Sequence, residues 1–136
     1  MAELDYAFLA EYAKVEPGGN LTAVGASYTH LFVPAFPNQH LVSVAGRVRA
    51  AVGESPSLRI TFQTPNETFQ MQADVQLNAV PDARPYGPAL DMVGLQFAMS
   101  FVVPLPTQGL YEVHLALDEV HVRMLAFTAA QQADKA

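Results

Sequence analysis

Between Ser57 and Ala79 the chain alternates apolar and polar residues with little interruption, and a period of two requires extended backbone with one buried and one wetted face. Leu58, Ile60 and Phe62 alternate with Ser57, Arg59, Thr61 and Gln63; Phe69, Met71, Ala73, Val75 and Leu77 alternate with Thr68, Gln70, Gln72, Asp74 and Gln76. Thr64-Pro65-Asn66-Glu67 between the two runs carries turn chemistry, which predicts a β-hairpin.

The same period recurs along the chain. Leu110–Leu117 sets Tyr111, Val113, Leu115 and Leu117 on one face, and Val120–Phe127 sets Val120, Val122, Met124 and Ala126 on one face, with Asp118-Glu119 as a two-residue turn. Strict alternation then leaves Leu125 and Phe127 outside, as an apolar patch suited to subunit contact. Leu41–Val52 places Val42, Val44, Val48 and Val52 inward, and Asp91–Val103 places Val93, Leu95, Phe97, Met99, Phe101 and Val103 inward. Leu21–Val33 reads as one extended run after the turn Glu16-Pro17-Gly18-Gly19-Asn20. Leu4–Val15 suits a helix or a strand, and is read as a strand because it feeds that turn.

About eight strands with turn signals every 8 to 12 residues or so describe an all-β, antiparallel β-sandwich of immunoglobulin-like or C2-like type, with a small β-barrel as the alternative. Thr107-Gln108-Gly109-Leu110-Tyr111-Glu112-Val113 favours the sandwich. It has the form of a tyrosine corner, in which the Tyr111 hydroxyl bonds to backbone just upstream.

A length of 136 residues suits a single domain, expected over 1–128, with 129–136 as a loose tail. Charged residues are only 15% of the chain, against about 25% in typical domains, which suggests surfaces buried against a partner. With no cysteine, the chain has no disulfide, thiolate nucleophile or cysteine-ligated metal. A net charge of −6 argues against nucleic acid and anionic membranes as partners. The opening Met-Ala-Glu-Leu-Asp-Tyr has acids where a secretory signal carries bases, and no apolar run approaches ~18 residues, so the expected location is cytoplasmic.

Two sets of segments carry a resemblance. They are Asp5-Tyr6-Ala7-Phe8-Leu9-Ala10, Pro17-Gly18-Gly19, Leu21-Thr22-Ala23-Val24-Gly25 and Val33-Pro34-Ala35-Phe36-Pro37, and later Pro104-Leu105-Pro106, Gly109-Leu110-Tyr111 and Leu115-Ala116-Leu117-Asp118. Together they resemble a family of short, uncharacterised bacterial β-rich proteins, while residues 53–90 add little. The resemblance implies a β-sandwich and brings no activity, cofactor or catalytic residue.

No nucleophile elbow, zinc-protease helix, dinucleotide turn or phosphate loop occurs in the sequence, and none of Ser27, Ser43, Ser55, Ser57 and Ser100 sits on a recognisable strained turn. A non-enzymatic protein without a cofactor is therefore expected. It would be an interaction or accessory module that self-associates or meets another protein. The alternative is a small-molecule or metal-binding module, with hydrolysis as one version of it. Its candidates are the outward pair His114 and His121 with Glu112, or the loop Pro81–Pro88. Arg84 and Tyr86 in that loop are residue types enriched at binding hot spots, and alternating strand direction places the loop at the same end as Gly18-Gly19, Glu54-Ser55-Pro56 and Asp118-Glu119. Arg47, Arg49 and Arg59 are expected on wetted sheet faces opposite cross-strand acids, with binding of an acidic partner or a phosphate as the alternative.

Overall fold

The structure is a computed structural model that describes residues 2–67, 69–80 and 83–132. Among these residues the chain forms ten strands: β1 (Glu3–Ala10), β2 (Tyr12–Val15), β3 (Leu21–Val24), β4 (His30–Val33), β5 (Asn38–Ala51), β6 (Ser57–Gln63), β7 (Gln70–Gln76), β8 (Met92–Leu105), β9 (Gly109–Leu117) and β10 (Val120–Gln131). A short 3-10 helix, Pro65–Glu67, lies in the β6–β7 connection.

Three strands in the order β1-β5-β8 form one sheet, five in the order β4-β10-β9-β6-β7 form the other, and β2 pairs with β3 as a separate hairpin. Every pairing is antiparallel except β4 with β10, which is parallel. Neither sheet closes on itself, so the architecture is a β-sandwich and not a barrel. The inner faces meet in one core: Val42, Val44 and Val48 of β5 and Leu95 and Phe97 of β8 from one sheet, Leu58 and Ile60 of β6 and Val113 and Leu115 of β9 from the other. Alternation decides the fold because each strand places one residue in two into this layer.

The tyrosine corner forms as expected. Tyr111 is buried, its hydroxyl donates to the Thr107 carbonyl at 2.6 Å, and its ring stacks on Phe127 with centroids 5.3 Å apart. Burial pushes the phenol's pKa up, while the Thr107 backbone bonds pull against that shift. Asp118 and Glu119 both adopt positive φ (48° and 69°), as a tight two-residue hairpin requires.

Five local expectations change. The run Leu4–Val15 is two strands parted at Glu11, β1 in the three-stranded sheet and β2 in the separate hairpin, and Leu21–Val33 is likewise two strands in different layers, because positive φ at Gly25 and Ser27 turns the chain out of the β2–β3 hairpin and over to the five-stranded sheet. Val52 and Phe69 lie just outside β5 and β7 and are exposed. Residues 129–131, expected in the loose tail, continue β10, where Ala129 is buried and pairs with Leu31; residues 133–136 lie outside the described part of the chain. The fifth change concerns the phase of β10. Against β9, His121 faces Ala116 but Arg123 already faces Leu115, so Val122 is an extra residue at a bulge. Val122 still packs against the core, and beyond it the inward positions become Leu125, Phe127 and Ala129.

Candidate recognition surfaces

The outer face of the three-stranded sheet is roofed over its centre, while Leu41 and Val102, cross-strand neighbours near one end, stay exposed. At Ala10, Ala45 and Ala98 small side chains let the β2–β3 hairpin settle on the sheet through Ala13 and Leu21. Beyond the hairpin, Arg47 Nε donates to Asp5 Oδ2 at 2.9 Å, and its guanidinium carbon lies 5.3 Å from the Tyr6 ring centre and 5.9 Å from that of Tyr86. Arg49 pairs with Glu3 and, at 3.8 Å, with Asp5. Arg59, on the other sheet, pairs at 2.8 Å with Asp74, its direct cross-strand neighbour. The hydrogen bonds that Arg49 donates to Glu3 and Arg59 to Asp74 are the main reason the pKa values of the two arginines rise. All three arginines therefore have the acid partners expected of them. On the exposed turn, the Thr22 hydroxyl bond and then Lys14 hold the Glu16 carboxyl below its usual range.

Tyr86 and Met92 exchange backbone hydrogen bonds of 2.8 and 3.3 Å, which fold the segment before β8 back over the sheet. A cleft of about 230 Å³ results. Arg47, Gly94 and Gln96 form its floor, and Gly18-Gly19-Asn20, Val80, Ala83, Arg84 and Tyr86 border it, with Val80 beside Gly19. With its amide oriented to suit its neighbours, Gln96 donates to the carbonyls of Gly19 (3.1 Å) and Gly94 (3.2 Å), tying the hairpin turn to the floor. A side chain at Gly94 would meet Arg47 Cδ at 3.2 Å, so the glycine keeps the floor low. Arg84 and Tyr86 thus come together beside the Gly18-Gly19 turn, while Pro81 and Asp82 of the same loop lie outside the described residues.

The outer face of the five-stranded sheet is open. Glu112, His114 and His121 meet there as a chain: Glu112 Oε1 lies 2.8 Å from His114 Nε2, and His114 Nδ1 lies 3.1 Å from His121 Nε2. The acid and the second imidazole occupy opposite nitrogens of one ring, so the three groups do not converge on a point as metal ligands must. Among the described residues no group of three or more His, Asp or Glu is placed to hold a metal ion. The bulge also makes Met124, not Arg123, the cross-strand neighbour of His114.

The change of phase in β10 overturns the outward patch expected at Leu125 and Phe127. Phe127 is 1% exposed, between Tyr111 and Tyr28, and Leu125 packs against the core. The outward residues are Met124, Ala126, Thr128 and Ala130 instead. Register sets Met124 beside His114, Ala126 beside Glu112, Thr128 between Leu110 and His30, and Ala130 beside Phe32. Phe32, Leu110 and Met124 are 63%, 50% and 47% exposed. Leu110 was legible, since it is out of phase with Tyr111 and Val113. Phe32 was not, because Leu31, Phe32 and Val33 are all apolar and show no alternation.

The family model DUF6941 matches residues 5–130, from β1 almost to the end of β10. The chain belongs to this family. DUF6941 is a family of unknown function, so membership agrees with the β-rich kinship read from the sequence and assigns no activity. The match spans both outer faces, including residues 53–90, where the sequence resemblance was thin. No curated protein matches the chain. Among the described residues no helix is long and apolar enough to cross a membrane.

Proposed function

We propose that this DUF6941 protein is a non-enzymatic contact module that pairs with a second copy of itself through the outer face of β4, β10 and β9. The observation that carries the reading is the make-up of that face. Three large apolar side chains, Phe32, Leu110 and Met124, border a row of small ones, Ala126, Thr128 and Ala130. Small residues let two sheets approach to about 10 Å, and large ones at the border interdigitate with a partner. The acid of this face, Glu112, is hydrogen-bonded to His114, which lowers the cost of taking it out of water. In a chain of charge −6, a second copy meets this area with no carboxylate left bare among the described residues.

The hydroxyl–imidazole geometry supports a non-enzymatic reading. Thr29 Oγ1 and His30 Nδ1 lie 2.9 Å apart, but they belong to exposed sequence neighbours, and the His30 ring stacks on Phe32 instead of lining a cleft.

Native mass spectrometry and sedimentation velocity test the proposal. The wild-type chain is expected to be a dimer at about 100 μM, and Phe32→Asp or Met124→Asp to be folded monomers with an unchanged circular dichroism spectrum. A wild-type monomer at that concentration overturns the reading, as does a dimer that both substitutions leave intact.

A further inference from the structure

The opposite face carries an independent feature, the 230 Å³ cleft between the Gly18-Gly19-Asn20 turn and the Ala83–Tyr86 segment. Two of the protein's five arginines line it, in a molecule with net charge −6. Arg47 is held in place: Asp5 takes its Nε, and the rings of Tyr6 and Tyr86 lie 5.3 and 5.9 Å from its guanidinium carbon. That arrangement engages one edge of the guanidinium and leaves the terminal amino groups without a hydrogen bond among the described residues. A guanidinium fixed in this way has already lost its side-chain freedom and binds a planar or tetrahedral oxyanion at little further entropic cost. Arg84, exposed across the cleft, brings a second cation with no ion pair among the described residues.

The remaining walls fit the same chemistry. Gly94 has no side chain to cover Arg47, and a Cβ there would press on Arg47 Cδ at 3.2 Å. Gln96 spends its amide hydrogens on the Gly19 and Gly94 carbonyls, so that the turn and floor form one frame. The volume falls below the roughly 300–1,000 Å³ of clefts that take drug-sized molecules, which limits the occupant to a small group.

We propose that this cleft binds a small oxyanion, a carboxylate or a phosphate, between Arg47 and Arg84. The assignment is independent of self-association, because the cleft lies on the other sheet's outer face.

Isothermal titration calorimetry on the full chain, with succinate and inorganic phosphate as separate probes, tests it. Saturable binding of at least one probe is expected, and which one binds separates a carboxylate ligand from a phosphate. Arg84→Gln, a change at an exposed side chain, is expected to weaken binding by about tenfold or more. Gly94→Ser, which fills the floor against a flexible side chain, is expected to weaken it as well, with the thermal midpoint of each variant checking the fold. No saturation by either probe up to about 10 mM overturns the proposal, and so does wild-type affinity in folded Arg84→Gln.

Discussion

The two outer faces of this sandwich are built from the same alternation and end in opposite conditions. On the three-stranded sheet, outward alanines at positions 45 and 98 accept a hairpin roof, and outward arginines at 47 and 49 are matched by acids on β1. On the five-stranded sheet, outward residues of β10 are as small, yet no other part of the described chain covers them, and Phe32, Leu110 and Met124 stand exposed around them. Small outward residues allow close approach, and connectivity decides what approaches. The β2–β3 hairpin is tethered by Glu11 to the end of β1 and so reaches only the sheet that contains β1.

The largest expected effect distinguishes the two sides of β10. Phe127→Ala should cost about 3–5 kcal/mol in urea unfolding, because it removes a ring buried against Tyr111 and Tyr28. Met124→Ala, three residues earlier on the outer side, should change monomer stability by no more than about 0.5 kcal/mol. Equal costs would show that the bulge does not set the phase.

On the roofed side, Gly46→Ala places a Cβ 2.2 Å from the Tyr6 carbonyl oxygen and 2.9 Å from Ala7 Cα. Backbone must move, so a loss of about 1–3 kcal/mol is expected, and a neutral result would mean that β1 is loosely docked. Tyr111→Phe comes next, at about 1–2 kcal/mol, because the Thr107 carbonyl loses its donor in a part-buried site.

The smallest effect at neutral pH is that of Tyr28→Phe. The Tyr28 hydroxyl is buried with no partner among the described residues, and burial, helped by the charge of Glu11, pushes its pKa up to about 12. The folded chain then holds this proton more tightly than the unfolded chain, which ionises near pH 10. Its stability contribution is intact below pH 10 and is lost as pH rises towards 12. The urea midpoint of Tyr28→Phe should lie at or slightly above that of the wild type near pH 8, because an unpartnered buried hydroxyl is removed, and the gap should widen above pH 10; a gap that does not change with pH would place Tyr28 in water.

Most strands were legible because each faces one core and one outside, which writes a period of two into the residues. The Asp118-Glu119 turn and the Tyr111 corner were legible because their chemistry is local. The bulge at Val122 was not. Val120, Val122, Met124 and Ala126 alternate as well as Leu125, Phe127 and Ala129 do, and only pairing with β9 shows where the phase changes. Of the candidate sites, the meeting of Arg84 and Tyr86 with Gly18-Gly19 followed from strand direction. The contribution of Gly94 and Gln96 to the same cleft did not, because neither residue type announces a floor.

By itself the sequence determined an all-β fold with a sandwich favoured over a barrel, its hairpins, its tyrosine corner and the absence of thiol chemistry, since these depend on neighbours along the chain and on composition. Tertiary structure decided which apolar residues of β10 are core, which sheet face is roofed and which arginine stands over a cleft. Those outcomes depend on register, handover between layers and loop reach, and these are fixed only when distant segments compete for the same surface.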